Sequence, residues 1–175
     1  MNRIVISSLL RPYEGVVAAN TGHITVHEAG AIEAGGHKVL ALPHEDGKLT
    51  AEAIEAHLRT YHEDANRDHT VYPGMIYISH PTEYGTLYTM NELEAISAIC
   101  RTHRIPLFLD GARLAYALGC PVNELMLAAI ARLTDAFCIG GTKCGALFGE
   151  AVVIPTRGSI RQFVTQMKQH GALLA

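Results

Sequence analysis

At 175 residues the chain has the length of one ordinary domain, enough to bury a real hydrophobic core. With 49% hydrophobic and 18% charged residues it is not a disordered tail. A net charge of −3, with no cluster of Lys and Arg, leaves no electrostatic footprint for nucleic acid. Apolar runs such as 105–109 fall far short of the roughly 20 residues that a membrane helix needs. No small-residue cleavage pattern follows Ile4-Val5-Ile6, so no secretory signal is expected. Cys100, Cys120, Cys138 and Cys144 have no CxxC spacing and read as reduced thiols of a cytoplasmic protein.

Short runs rich in Val, Ile and Phe predict buried strands at 16–19, 37–42, 75–79, 106–110, 136–140 and 151–154. Helical spacing lies between them. Thr50 is placed to cap a helix that puts Ala53, Ile54, His57, Leu58 and Tyr61 on one face. Thr89 opens a second, with Leu93, Ile96, Ile99 and Cys100 inward and the acidic Glu92 and Glu94 near its start. The spacing predicts a third over 123–132 and an amphipathic closing helix over 159–170. Strand and helix alternate, and the strands look buried on both faces. That is the pattern of a three-layer α/β/α domain with a mostly parallel sheet.

Ligands of such sheets bind at the carboxyl ends of the strands. Three ends carry chemistry: Ser79-His80-Pro81-Thr82-Glu83, Asp110-Gly111-Ala112-Arg113 and Gly140-Gly141-Thr142-Lys143. An apolar strand that delivers Asp110 into a glycine turn must meet positive charge, because a buried unpaired carboxylate is expensive. Arg113 is one candidate partner and the protonated nitrogen of a pyridine cofactor is the other. A lysine at a buried strand end loses solvation, which favours a nucleophilic amine at Lys143; the alternative is a turn with a solvated lysine. The two glycines before it would let backbone approach a ligand closely. That run is not a phosphate-binding P-loop, and no G-x-G-x-x-G marks a dinucleotide site. Around His23, His27 and Glu28 the H-E-x-x-H zinc pattern fails at Ala31, and no metal site is expected.

Taken in order, Leu10-Arg-Pro-Tyr-Glu-Gly15, the segment from Gly22 through His23 and Glu28 to Ala31, Gly36-His-Lys38, Pro81-Thr-Glu-Tyr-Gly-Thr86, Asp110-Gly-Ala-Arg113 and Gly140-Gly-Thr-Lys143 resemble the low-specificity threonine aldolases. These belong to the aspartate-aminotransferase-like superfamily of pyridoxal-phosphate enzymes, in the threonine aldolase and β-eliminating lyase family. The resemblance runs over essentially the whole chain. It implies that Lys143 carries pyridoxal 5'-phosphate through a Schiff base and that Asp110 pairs with the pyridine nitrogen. It further implies that His23 stacks on the ring face and helps handle the β-hydroxyl proton. Arg113 would lie beside the cofactor and hold the substrate carboxylate, and Thr142 would orient the cofactor. Glu28 would orient His23. The implied reaction cleaves a β-hydroxy amino acid such as threonine to glycine and an aldehyde.

Compared with that family, the chain is expected to be incomplete at both ends. Residues 1–175 would be part of the pyridoxal-phosphate-binding large domain, without the phosphate-binding loop that precedes a helix starting near Asn2 and without the C-terminal small domain. The family context implies a homodimer or homotetramer with active sites between subunits. Two alternatives stay open: an inactive fragment with weak cofactor affinity, and a β-eliminating lyase or aminotransferase on the same scaffold.

Overall fold

In the computed structural model, which describes residues 1–173, six strands form one sheet in the order β2-β1-β3-β4-β5-β6. They are β1 (Glu14–Ala19), β2 (Val39–Leu42), β3 (Tyr72–Ser79), β4 (Leu107–Asp110), β5 (Ala136–Gly140) and β6 (Glu150–Val153). All neighbouring pairs are parallel except β5 and β6, which run antiparallel. The sheet is therefore mostly parallel, as the buried apolar runs imply.

Side-chain alternation along the strands builds a separate core on each face. Val17, Ile76, Ile78, Leu107, Leu109 and Phe137 point to the face covered by α3 (Ala51–Glu63), α4 (Met90–His103), α5 (Leu114–Leu118) and α6 (Leu127–Leu133). Val16, Ala18, Met75, Tyr77, Phe108 and Ala136 point to the other. There Val5 and Ile6 of α1 (Asn2–Leu9) and Ile24 of the short α2 (His23–Val26) meet them. The closing helix α7 (Phe163–Gln169) lies on the same side and contacts α1. The three layers are thus two sets of helices around one sheet.

Both threonine caps form as the sequence implies. Thr50 Oγ1 accepts from the Ala53 N–H, and Thr89 with Glu92 completes a reciprocal capping box. Two helices are shorter than the periodicity predicts. The third starts at Leu127 and not at Asn123, because the Asn123 side chain bonds the loop backbone at Leu125 and also reaches His80 Nε2. The last runs from Phe163 to Gln169 and not from Ser159 to His170. Ser159 turns back on the Thr156 carbonyl, and only Ile160 of that stretch is buried. At β2, His37 lies before the strand, where Nδ1 bonds the Glu14 carbonyl at 3.0 Å.

Candidate active site

At the carboxyl end of the sheet, strand register places Ser79 beside Asp110. Four segments converge there: α2 after β1, the loop after β3, the end of β4, and the turn after β5. His23, Ser79, Pro81, Glu83, Asp110, Ala112, Arg113 and Lys143 line one narrow cleft. Four of the five site residues expected from sequence are therefore neighbours. Thr142 is not in that cleft and lines an adjoining groove with Met1, Ile4 and Glu150.

Asp110 is 5% exposed and receives four hydrogen bonds. Tyr77 Oη donates to Oδ2 at 2.6 Å and Asn2 Nδ2 to the same atom at 2.8 Å. The Ala112 N–H and the Cys138 thiol donate to Oδ1 at 2.9 and 3.3 Å. Burial pulls the carboxyl pKa up, but Tyr77, Asn2, the Ala112 N–H and Cys138 together outweigh it and hold the pKa below the ordinary Asp value. Burial also pushes the Tyr77 hydroxyl and the Cys138 thiol well up, so both remain protonated donors. Arg113 forms no ion pair with Asp110 among the described residues; its side chain is exposed at the start of α5. All four donors are neutral. The cleft therefore holds a buried anion that no cation among the described residues pairs with, an acceptor that a protonated pyridine nitrogen would fit.

A folded pKa below the unfolded value adds stability above the unfolded pKa, and this is lost as pH falls through the folded one. Asp110→Asn is expected to flatten the fall in melting temperature below about pH 4 that the wild type shows, the usual carboxylate range. Thermal melts of both proteins from pH 7 to pH 3 test this. Parallel acid limbs would show that Asp110 is not held ionised.

His23 opens α2, and its backbone N–H donates to Glu83 Oε1 at 2.8 Å. Its Nδ1 lies 3.0 Å from Glu28 Oε1, which also accepts from Asn2 Nδ2 at 2.6 Å. A carboxylate only accepts, so Nδ1 carries hydrogen and the neutral ring keeps an acceptor lone pair on Nε2. Glu83 is held in turn by Ser79 Oγ at 2.7 Å.

Lys143 departs from the desolvated lysine that its strand-end position suggests. β5 ends at Gly140, and a single 3-10 turn over Thr142–Cys144 carries the side chain to an exposed position. Neither Lys143 nor Arg113 makes a side-chain hydrogen bond to another described residue, so both cations are free for a ligand. The glycines before Lys143 let backbone segments pack closely. A Cβ on Gly140 would lie 2.2 Å from the Ala112 carbonyl oxygen, and one on Gly141 2.5 Å from that of Gly149.

Sequence reasoning did not find Asn2, Tyr77 or Cys138. A hydroxyl two residues before Ser79, the register partner of Asp110, gives a weak hint for Tyr77, which shares that sheet face. Nothing local marks Asn2, which reaches Asp110 across 108 positions.

An open, mostly parallel sheet with a buried carboxylate and a free lysine at adjoining strand ends defines an aspartate-aminotransferase-like domain. The chain belongs to the beta-eliminating lyase family, whose model matches residues 1–175. It is 36% identical over 177 residues to a low specificity L-threonine aldolase of a Pseudomonas strain, covering 98% of this chain and 49% of that protein. A solved threonine aldolase from Leishmania major superposes with a TM-score of 0.93 at 53% identity, over 99% of this chain and 50% of that one. An aminotransferase from Clostridium difficile, solved with PLP bound, has a TM-score of 0.70 at 13% identity over 97% of this chain and 43% of that one, a likeness of fold alone. The chain spans about half the length of the curated Pseudomonas relatives it matches.

Proposed function

We propose that residues 1–175 form part of the pyridoxal-phosphate-binding large domain of a carbon–carbon lyase that cleaves β-hydroxy amino acids such as threonine to glycine and an aldehyde. The buried Asp110 anion, hydrogen-bonded only by neutral groups and sharing a cleft with Lys143, carries this reading. The names of the similar Pseudomonas and Leishmania proteins support it.

Lys143, a free primary amine at the cleft, would be the residue that holds the cofactor through its aldehyde group. Asp110 would hold the pyridine nitrogen and favour its protonated form, because the carboxyl's own pKa is held low. When bound, the cofactor supplies the electron sink for the pair left on Cα. Arg113, exposed at the cleft and free of acidic partners among the described residues, pairs with the substrate carboxylate. His23, with Nδ1–H committed to Glu28, would help hold the cofactor and offers Nε2 to the β-hydroxyl proton. Thr142 sits beside Lys143 and orients the cofactor from the adjoining groove. The substrate is a small amino acid and the working form a homodimer or homotetramer. Exposed Leu147 and Phe148, just beyond Lys143, fit a second subunit covering this loop. No described helix is long and apolar enough to cross a membrane. Four free cysteines suit a reducing, cytoplasmic compartment.

Purified chain titrated with pyridoxal phosphate should develop a visible absorbance band, and threonine should then yield acetaldehyde. A folded chain that shows no band at saturating cofactor would reduce the family membership to ancestry. A band without aldehyde release would move the reaction to elimination or amino transfer on the same scaffold.

A further inference from the structure

One amide group spans both halves of the cleft. Asn2 Nδ2 donates one hydrogen to Asp110 Oδ2 at 2.8 Å and the other to Glu28 Oε1 at 2.6 Å. Glu28 in turn holds His23 Nδ1 at 3.0 Å. Two acceptor-only carboxylates on one nitrogen fix the amide orientation, because the flipped rotamer would set its oxygen against both anions. The arrangement leaves Asn2 Oδ1 buried without a hydrogen-bond partner among the described residues, on a side chain of a residue only 7% exposed. A fold under no constraint other than packing would fill this place with an apolar group. The orphaned carbonyl is the cost of turning both N–H donors of Asn2 onto the two carboxylates.

We propose that Asn2 is a positioning residue that ties the carboxylate meant for the cofactor nitrogen, Asp110, to the ring-face histidine, His23, through Glu28. With the cofactor held as proposed, Asp110 and His23 would both contact it, so their relative placement would decide whether both contacts form at once. α1 carries Asn2 on a helix whose Val5 and Ile6 are fully buried against the sheet, so the bridge has a rigid base. The inference rests on the cofactor site proposed above. It adds a residue remote in sequence from every motif that points to that site.

Asn2→Leu tests it, since leucine keeps nearly the same volume and removes both donors. The cofactor dissociation constant, read by absorbance titration, should rise about tenfold, the size of one charge-assisted hydrogen bond. The Asp110 carboxyl titration, followed by carbon-13 NMR without cofactor, should move upward. Asn2→Ser, which can donate to only one carboxylate, should fall between wild type and Asn2→Leu and guards against a leucine variant that does not fold. Combining Asn2→Leu with Glu28→Gln should weaken binding less than the sum of the single effects, because both act on the same linkage. Unchanged affinity and an unmoved Asp110 titration in both folded Asn2 variants would overturn the proposal, and so would full additivity with Glu28→Gln. If the wild type binds no cofactor, the site reading fails. The NMR titration then still decides whether Asn2 holds Asp110.

Discussion

Lys143→Ala is expected to abolish the visible absorbance that the wild type develops with pyridoxal phosphate and to cut aldehyde release from threonine by roughly 10⁴-fold. The side chain lies exposed on the turn after β5 and bonds to no other described residue. Its removal therefore leaves the folded protein almost untouched, within about 0.5 kcal/mol of the wild type. That separation is what makes the variant informative: a lost band in a protein of unchanged melting temperature is a chemical loss and not a folding loss. Addition of a free primary amine such as methylamine should restore part of the rate by replacing the missing amine in solution. A variant that keeps the band would assign the covalent bond to another amine, and Lys48 and Lys168 are then the next to replace.

Exposure of Lys143 also bears on how the site works. Burial tunes a lysine towards its neutral, nucleophilic form, and this chain does not bury it. The exposed Leu147 and Phe148 that follow form an apolar patch where a second copy would close over the loop and remove water from the amine. In that arrangement a second copy would supply the desolvation that the sequence pattern suggests for the strand end itself.

The strands were legible because burial on both faces writes itself as uninterrupted apolar runs, and β5 falls at 136–140 just as those runs predict. Thr50 and Thr89 marked helix starts because a cap is a local contact between residues three apart. Helix lengths were less legible. The side chain of Asn123 has a choice between continuing a helix and bonding loop backbone, and it takes the second, with His80, 43 residues away, as a further partner. The same division holds in the site. His23, Asp110, Arg113 and Lys143 sit in short motifs at strand ends, and the sheet brings them into one cleft. Whether Asp110 met Arg113 or waited for another cation depended on the direction in which α5 leaves its strand, and spacing does not carry that. Asn2 and Tyr77 could not be read at all, because their roles exist only in the folded packing of α1 and β3 around the carboxylate.

Gly111→Ala and Gly140→Ala should each cost about 3 kcal/mol, at the upper end of over-packing penalties, and lower the melting temperature by about 6–12 °C. The two glycines face each other's strand end across the seam between β4 and β5. A Cβ on Gly111 would stand 2.0 Å from the Cys138 carbonyl oxygen, and one on Gly140 2.2 Å from that of Ala112. In both cases the obstacle is backbone, so no rotamer change relieves it and the strands must part. Parting them breaks the Gly140 N–H bond to the Gly111 carbonyl at 2.9 Å and the Gly111 N–H bond to Cys138 Sγ at 3.0 Å. The second of these orients the thiol that donates to Asp110. The strain therefore acts on the very seam that sets Asp110 and Lys143 at their distance, and cofactor affinity should fall along with stability. Gly85→Ala is the contrast: its φ of +80° is strained for alanine, but nothing lies within 4 Å of the added methyl. That variant should lose about 1 kcal/mol and bind cofactor as the wild type does, since its cost is confined to one exposed turn. Melting curves and cofactor titrations on the three proteins distinguish a close strand seam that positions the site from glycines that serve only as flexible turns.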